Sequence, residues 1–433
     1  VFLGAEIPHP NVGIRTATPA QSLDVNGKIR LGDDATPPVA GTMRWNSETQ
    51  DFEGFDGTRW RSLTRSAGGW GTQTTTESAA MSGMHNNALG WSVAVDGDHA
   101  VIGSLDADTV YMYRRQGDAW VFHQSFAAPD DDGTSQYFGW SVAIHGAYAV
   151  IGSPQKSVNG NSAQGKAYVY HLIGDTWTFQ DSLVASDGDV FWSFGWDVDL
   201  SGDYLIVGAP GAEVDGEVEQ GNIYVYHRDG ASWNEHGILS PASGSAGDVF
   251  GMYITIEGNE IVIGSPNTTS EGECYAFSRQ GLQWTELPVI TPLVGIPASS
   301  FGNSVCIEEE RLFIGSRDSA DFQGIVYIFE KSGGAWVETS QLPPPSQELF
   351  GFGWSLDASG DALIVGALGG AFVYRLIAGT WQKEVTLHPS DDAVGGQFGF
   401  AVGISVSGAV VAAPYLDLPS ADSAGKVYFY NYQ

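Results

Sequence analysis

The segment FGWSVAIHGAYAVIGSP, residues 138–154, alternates large and small side chains over two stretches that are typical of short β-strands. Successive side chains of a strand point to opposite faces of the sheet. The alternation therefore predicts a bulky face that carries Phe138 and Trp140 and a small face that carries Gly139 and Ser141. Large side chains of one sheet can then pack against the small side chains of the next sheet. The segment is therefore interpreted as a packing device without a catalytic role.

Related segments recur along most of the chain. Their glycines lie at positions 90, 139, 195, 251, 302, 353 and 399, at intervals of 46 to 56 residues. This interval is the length of one four-stranded propeller blade. Each copy continues into a second strand of the AVIGS type, a third strand of the YVY type, and a turn before a tryptophan that begins a fourth strand. Six copies carry that tryptophan, at Trp120, Trp177, Trp233, Trp284, Trp336 and Trp381.

The seventh copy lacks a fourth strand, because the chain ends at VYFYNYQ. A matching segment, GGWGTQTTTES, lies upstream of the first copy, with Trp70 after a glycine pair. We therefore predict an all-β fold: a seven-bladed β-propeller of four-stranded blades, whose last blade is closed by an N-terminal strand within residues 69–78. Closing the ring in this way removes two sheet edges that would otherwise invite aggregation.

The FG pairs and G-(A/S)-P elements, each followed by a YVY-type strand, resemble FG-GAP repeats, the propeller units of integrin α-chains and many bacterial surface proteins. The resemblance covers roughly residues 69–433 and implies a fold more than a single function. Family members often place a D-x-D-x-D-G calcium loop between the first two strands. Here that connector is short, as in HGA (145–147) and SGD (201–203), and it predicts a tight hairpin. The calcium sites of the family are therefore not expected.

Residues 1–65 do not fit the repeat and are predicted to form a separate small β module, followed by the propeller at 66–433. The stretch NVGIRTATPAQSLDVNGKIRLG (11–32) resembles segments of trimeric bacterial fibre proteins and of some phage tail fibres. This resemblance implies a homotrimeric stalk, and the alternative is a β-cap packed on one propeller. Four aromatic residues are expected to pack together or across a subunit interface: Trp45, Phe52, Phe55 and Trp60.

Composition excludes two classes of partner. Fifty-one acidic and nineteen basic residues give a formal net charge of −32, which repels phosphate backbones, so nucleic acid is not an expected partner. No window is long and apolar enough to span a bilayer, so membrane insertion is not expected either. Cys274 and Cys306 occupy positions where sister repeats carry alanine, which predicts buried free thiols.

Sequence diversity concentrates in the loops between second and third strands and in the connectors between blades. Both sets emerge on one face of an up-and-down propeller, and this loop-rich face is expected to bind the partner. An aromatic platform beside carboxylates suits sugar recognition. Two neighbouring connectors supply the candidate ligand-binding residues Asp130, Asp132, Tyr137, Asp187, Asp189, Phe191 and Trp192. The alternative is that Phe191 and Trp192 tuck beneath their connector and the acids are solvated.

Motifs for catalysis and cofactor binding are sparse. The acidic runs at 130–132 and 391–392 are candidate calcium ligands, with solvated turn residues as the alternative, and no other cofactor is expected. Histidine clusters, a G-x-S-x-G elbow and a phosphate loop are all missing from the sequence, so no catalytic residue is assigned and the protein is not expected to be an enzyme. A glycosidase with paired carboxylates stays open, because spatial separation is invisible in sequence.

These observations predict an adhesin or fibre-tip protein, extracellular or on a cell surface. Its propeller head would bind a cell-surface glycan or protein through the loop-rich face. Two alternatives remain open. One is a secreted glycan-active enzyme that uses carboxylates on the same face, and the other is a structural subunit of an extracellular filament.

Overall fold

The computed structural model describes the strands at 43–46, 51–55, 60–62 and 70–76, and residues 88–117, 119–266, 272–294, 300–346, 349–389, 396–417 and 424–432. Contacts divide the chain into two compact units, Val1–Gly68 and Gly69–Gln433.

The first unit contains a three-stranded antiparallel sheet made of β1 (Met43–Asn46), β2 (Asp51–Phe55) and β3 (Trp60–Ser62). Its register sets Trp45 opposite Phe52 and Phe55 opposite Trp60, so the four aromatic positions are cross-strand neighbours. The fibre-like segment 11–32 lies outside the described residues, and the homotrimer that it implies stays a prediction.

The second unit consists of seven four-stranded antiparallel sheets, as predicted. In the first six blades the strands pair in chain order. Blade 1 consists of β5 (Leu89–Asp96), β6 (His99–Ser104), β7 (Thr109–Gln116) and β8 (Ala119–Ala127). Blade 2 consists of β9 (Val142–His145), β10 (Tyr148–Ser153), β11 (Lys166–Ile173) and β12 (Thr176–Leu183). Blade 3 consists of β13 (Val198–Ser201), β14 (Tyr204–Ala209), β15 (Asn222–Asp229) and β16 (Ser232–Leu239).

Blades 4 to 6 are built in the same way. Blade 4 consists of β17 (Tyr253–Glu257), β18 (Glu260–Ser265), β19 (Glu273–Gln280) and β20 (Gln283–Glu286). Blade 5 consists of β21 (Phe301–Glu308), β22 (Arg311–Ser316), β23 (Ile325–Ser332) and β24 (Ala335–Leu342). Blade 6 consists of β25 (Phe350–Ser359), β26 (Ala362–Leu368), β27 (Gly370–Ile377) and β28 (Thr380–Leu387). Short helical turns interrupt the all-β pattern in the described residues, among them a 3-10 turn at Leu105–Ala107 and α1 at Ser319–Phe322. No helix in the described part of the chain is long and apolar enough to cross a membrane.

Blade 7 joins the two ends of the propeller unit. Its strands are β29 (Val402–Ser405), β30 (Gly408–Ala413), β31 (Lys426–Tyr432) and the displaced β4 (Trp70–Thr76). The antiparallel register of β31 and β4 runs from Val427 opposite Thr76 to Tyr432 opposite Trp70, which confirms the predicted closure. The first strands of consecutive blades contact one another, and β29 contacts β5, so the seven inner strands form a closed ring.

The hairpins between first and second strands are two-residue turns. Asp96 pairs with His99 and Ser201 pairs with Tyr204 across them, with Gly97 and Gly202 at φ angles of 54° and 60°. Glycine accepts this left-handed conformation without the steric cost that a side chain would bring. The predicted tight hairpins are thus confirmed.

Adjacent blades approach most closely at the glycine of the second strand. A Cβ built on Gly152 would lie 2.1 Å from the carbonyl oxygen of Gly195, and one on Gly208 would lie 1.9 Å from that of Gly251. No side chain fits at such distances. The recurring glycine of the G-(S/A)-P element is therefore explained by contact with the FG glycine of the next blade.

The fourth-strand tryptophans fill the seams between blades, a role beyond their use as markers of a strand. Trp177 in blade 2 is 1% exposed and meets His99 of blade 1 edge-on at 5.8 Å, while Trp233 in blade 3 meets Tyr148 of blade 2 at 5.7 Å. The buried apolar residues group into seven clusters that draw largely on neighbouring blades. Both cysteines are free and buried, as predicted.

Candidate ligand-binding site

A cavity of about 570 Å³ lies in the centre of the inner ring, where the first strands begin. Because the strands of each blade alternate in direction, the blade connectors and the loops between second and third strands lie at this same end. The residue that follows each FG glycine forms part of the cavity wall. In chain order these residues are Trp91, Trp140, Trp196, Met252, Asn303, Trp354 and Phe400.

This position corrects the interpretation of Trp140 as a packing residue on a bulky strand face. Phe138 and Val142 do pack in the core between blades, but Trp140 lines the cavity. The physical reason is that β9 begins only at Val142. The preceding residues form a turn, in which the Trp140 N–H donates to the Tyr137 carbonyl at 3.0 Å and Gly139 has φ 92°. Strand alternation therefore does not extend to the tryptophan.

Five of the wall residues form a continuous chain of ring contacts, here called the aromatic arc: Trp196, Trp140, Trp91, Phe400 and Trp354. Their ring centroids are separated in that order by 4.7, 5.0, 5.2 and 5.6 Å. These distances are typical of interacting aromatic pairs. All five side chains are only partly buried, so part of each ring is accessible from the cavity.

Two further rings extend the arc towards the loop-rich face. Tyr137 stacks on Trp140 with a centroid distance of 5.6 Å and an interplanar angle of 23°. Tyr415, from the loop after β30, meets Phe400 at 5.8 Å. Tyr137 is thus the one predicted site residue that contacts an aromatic ring of the cavity wall.

Blade 4 interrupts the arc with Met252, and blade 5 interrupts it with polar groups. Arg317 lies over the ring of Trp354 at 4.4 Å, with its Nε 3.6 Å from the Asp318 carboxylate. The Asn303 side-chain oxygen accepts the Arg317 backbone N–H at 2.8 Å, and its amide donates to the Gly353 carbonyl at 3.1 Å. The cavity therefore has an aromatic side and a polar side.

Serines two residues after the FG glycine fix the loops that carry the next blade's aromatic residue. Each hydroxyl donates to the carbonyl of the following FG glycine. The bonds are Ser92 to Gly139 at 2.8 Å, Ser141 to Gly195 at 3.1 Å, Ser304 to Gly353 at 2.7 Å and Ser355 to Gly399 at 3.1 Å. The serine of the W-S pair thus positions the arc.

Carboxyl groups also link first strands of neighbouring blades: Asp197 stands at the serine position of its repeat, and Asp357 lies two residues after Ser355. Asp197 accepts the Ile254 N–H of the next blade at 2.9 Å, and Asp357 accepts that of Ile404 at 2.7 Å. Burial raises the pKa of Asp197 to about 8 and that of Asp357 to about 7, although these backbone donors partly offset the effect. The Asp197 carboxyl, which lines the cavity, is therefore largely neutral at pH 7.

The first predicted connector is held by its own hydrogen bonds. Asp130 accepts from Lys166 and from the Tyr168 hydroxyl, both at 2.6 Å. Burial raises the pKa of Asp130, but these bonds outweigh burial and the net pKa is lowered. Asp132 accepts from the backbone N–H and hydroxyl of Thr134, and these bonds lower its pKa to about 2. Both carboxylates order the connector rather than face the cavity.

In the second predicted connector, one aromatic residue is exposed and the other is packed beneath the connector. Asp187 accepts from the Tyr224 hydroxyl and Asp189 from the Val190 N–H, both at 2.7 Å. Trp192 packs against the core cluster between blades 2 and 3, whereas Phe191 is 67% exposed. Of the seven predicted residues, only Phe191 and Tyr137 thus offer an aromatic surface outside the core.

A calcium site is not apparent in what the structure describes. No three His, Cys, Asp or Glu side chains in the described ranges are grouped so that they could hold a metal ion. Asp130 is paired with Lys166, and residues 391–392 lie outside the described residues.

Comparison with known proteins agrees with this architecture. The FG-GAP repeat model matches residues 120–170, 177–226, 233–277 and 381–430, so the seven-bladed propeller contains FG-GAP repeats. No curated protein matches the chain. Among solved structures, the β-propeller domain of Cps50 (Swd1) from Myceliophteria thermophila is similar, with a TM-score of 0.53 and 11% identity over 84% of this chain and 100% of that one. At this identity the similarity bears on the fold alone.

Proposed function

We propose that this protein is an extracellular glycan-binding head, of the adhesin or fibre-tip type, that holds a sugar in the central cavity against the aromatic arc. The observation that carries this proposal is the arc itself: five partly accessible rings in contact around a cavity of about 570 Å³. The proposed site differs from the predicted one, because it lies in the central cavity that the connectors surround and not on the connectors themselves.

The chemistry of the wall fits a sugar. Ligand pockets typically enclose about 300–1,000 Å³ and combine apolar walls with a few placed polar groups. The apolar C–H face of a pyranose packs on an indole, while its hydroxyls need donors and acceptors. Arg317 and Gln397 supply polar side chains in the same cavity as the aromatic arc, and Asn303 holds the backbone of Arg317 in place. The binding site therefore has both kinds of contact within reach of one ligand.

The stability of the fold does not by itself account for the aromatic arc. Tryptophan is stabilised most by complete burial, as in the seam residue Trp177, yet the rings of the arc are left partly exposed at the cavity. Contiguous accessible aromatic surface on a soluble protein usually marks a place where something binds. We take that something to be the ligand of the propeller head.

A glycan array followed by calorimetric titration tests the proposal. Trp140→Ala removes the centre of the arc and is expected to weaken sugar binding by about tenfold or more, because a central aromatic contact is worth about 1–3 kcal/mol. Phe191→Ala is the matched control, since it truncates an exposed aromatic side chain on the loop-rich face outside the cavity wall. Loss of binding in the Phe191 variant, with Trp140→Ala unchanged, would return the site to the predicted connectors.

A protein ligand is a second candidate. Large apolar side chains are exposed on connectors and loops of the same face, namely Phe191, Leu293, Phe322 and Phe350. Such residues favour a protein contact around the rim. The array and a pull-down on intact cells separate the two candidates, because only a glycan ligand is competed away by free sugar. The homotrimeric stalk is tested separately by the mass of the full chain in solution, with three protomers expected.

A further inference from the structure

We propose that the central cavity selects a carboxylate-bearing sugar, such as a uronic acid, and that Arg317 pairs with the acid group. This inference rests on the proposed sugar-binding function and assigns the class of sugar. It arises from the interruption of the aromatic arc at blades 4 and 5. An arc meant only for stacking could have continued there, but Met252 and Asn303 replace the aromatic residue and Arg317 reaches the wall beside them.

Arg317 is held in place by contacts on several sides. Its guanidinium lies on the face of Trp354 and its Nε faces Asp318, and its backbone N–H donates to the Asn303 side-chain oxygen. A guanidinium has five N–H donors in a fixed fork, which exceeds the number used by these partners. The remaining donors suit a carboxylate, which accepts two parallel N–H bonds. Pre-positioning reduces the ordering cost of binding.

Charges at the cavity wall favour an anion. Among the described lining residues, Arg317 is the only one with a positive charge and Asp197 the only one with an acidic group. Asp197 is half-buried, and its two carboxyl oxygens accept the backbone N–H groups of Val198 and Ile254, so both oxygens already have partners within the protein. Asp318 lies near Nε, but one of its oxygens also accepts the Ser300 hydroxyl. The polar side of the cavity is thus cationic in character.

The net charge of −32 does not contradict an anionic ligand. Charges on the outer surface are screened over about 8 Å at physiological ionic strength. A carboxylate inside the cavity would interact mainly with groups at contact distance, and there Arg317 dominates. The acidic surface instead reduces the rate of encounter, which high salt would partly restore. Because the guanidinium covers a face of Trp354, the ring of the same sugar would stack on the next ring of the arc, Phe400.

Calorimetry with the full-length protein tests the inference, using trigalacturonic acid and its fully methyl-esterified form as probes. The two share their rings and differ in charge. Wild-type protein is expected to bind the acid about tenfold or more tightly than the ester. R317Q is expected to lower the affinity for the acid to that for the ester, while the affinity for the ester stays within about twofold. R375Q is the matched control, because Arg375 also lies over an aromatic ring, Tyr432, and pairs with a carboxylate, but does not line the cavity.

Several results would overturn the inference. Equal affinities of the wild-type protein for acid and ester would do so without any variant, and so would an R317Q protein that keeps the preference for the acid. Equal binding of a glutamate tripeptide would remove the assignment to a sugar. If the array shows binding only to neutral sugars, the inference fails while the proposed function stands. If no sugar binds at all, the proposed function itself fails.

Discussion

The propeller uses tryptophan in two regions for two different purposes. Trp177 and its fourth-strand counterparts lie in the seams, where each is packed against a residue of the neighbouring blade. Trp140 and its counterparts after the FG glycines lie around the central cavity, in contact with one another and partly accessible. The seam residues hold the blades together, whereas the arc contributes a surface that folding alone does not require.

Tryptophan therefore has different roles at different positions of the same repeat. The seam tryptophan is the same residue in six repeats, because the groove between two blades has nearly the same shape each time. The residue after the FG glycine varies among Trp, Met, Asn and Phe, because it faces a cavity that the seven blades share. Variation of this kind creates one polar side and one aromatic side in an otherwise symmetric ring.

The largest expected effect of a single substitution is on stability at a seam. Trp177→Ala removes a side chain that is 1% exposed and is expected to reduce the free energy of unfolding by about 3–5 kcal/mol. Urea denaturation measures this loss. Phe122→Ala, at an aromatic side chain that is 54% exposed on β8, should change the free energy by less than about 1 kcal/mol. A similar loss in both variants would mean that the seams carry no special share of stability.

The second effect is a pH dependence that originates in the inner ring. Folding raises the pKa of Asp197 to about 8 and of Asp357 to about 7, from 3.8, mainly through burial. The folded state therefore favours the neutral carboxyls, and their contribution is full below pH 3.8 and is lost as the pH rises towards 8. Each of these groups contributes about 1.4 kcal/mol per pH unit between its unfolded and folded pKa, so we expect the free energy of unfolding to fall by on the order of 6 kcal/mol between pH 5 and pH 8.

Urea titrations of wild type and Asp357→Asn at several pH values check this expectation. The variant lacks one titrating group, so its stability should change less steeply with pH, whatever its absolute stability. Parallel profiles for the two proteins would show that Asp357 does not titrate in this range.

A third effect links the two regions through a glycine. A Cβ at residue 152 would meet the Gly195 carbonyl at 2.1 Å and the Ser141 hydroxyl at 2.2 Å, next to the loop that carries Trp196. Gly152→Ala is expected to cost about 1–3 kcal/mol by overpacking and also to weaken sugar binding. Gly146→Ala has open space around its Cβ and is the control for backbone strain alone, at about 1 kcal/mol. Identical losses in the two variants would argue against the close contact between blades.

The smallest effect concerns the serine that supports the arc. Ser141→Ala deletes the hydrogen bond to the Gly195 carbonyl and is expected to cost about 0.5–1.5 kcal/mol of stability. Because this bond holds the turn before Trp196, the affinity for the sugar should fall by a few-fold as well. Thermal unfolding and calorimetry on the same sample measure both. An unchanged affinity would leave the serine a purely structural role.

Much of the fold is predictable from sequence because it rests on local repetition. The spacing of the FG glycines, the short hairpins and the displaced strand around Trp70 each have one physical interpretation, and the structure agrees with all three. The arc could not be predicted from the same segment. Strand alternation assigns Trp140 to a packing face. The irregular backbone around the FG glycine reverses that assignment, as a turn before β9 and as register shifts within β5 and β25.

The polar side of the cavity lies further from sequence reasoning. Arg317 follows the second strand of blade 5 and Trp354 lies in the first strand of blade 6, and only the ring brings the guanidinium within 4.4 Å of the indole. The residue type after each FG glycine was the one sequence signal for the cavity. Four of these seven residues are tryptophan but one is asparagine, and asparagine would not suit a buried position between two blades. Acids beside aromatic residues have a second explanation, because Asp130 and Asp187 also anchor their connectors through Tyr168 and Tyr224, and their role as ligand-binding residues stays a prediction.

The central claim is that the aromatic arc serves a ligand rather than the fold. Measuring both the unfolding free energy and the sugar affinity of one variant, Trp140→Ala, tests it most directly. We expect the free energy of unfolding to stay within about 1 kcal/mol of wild type while the affinity falls about tenfold or more. A variant that loses several kcal/mol of stability but binds the sugar as wild type does would contradict the claim.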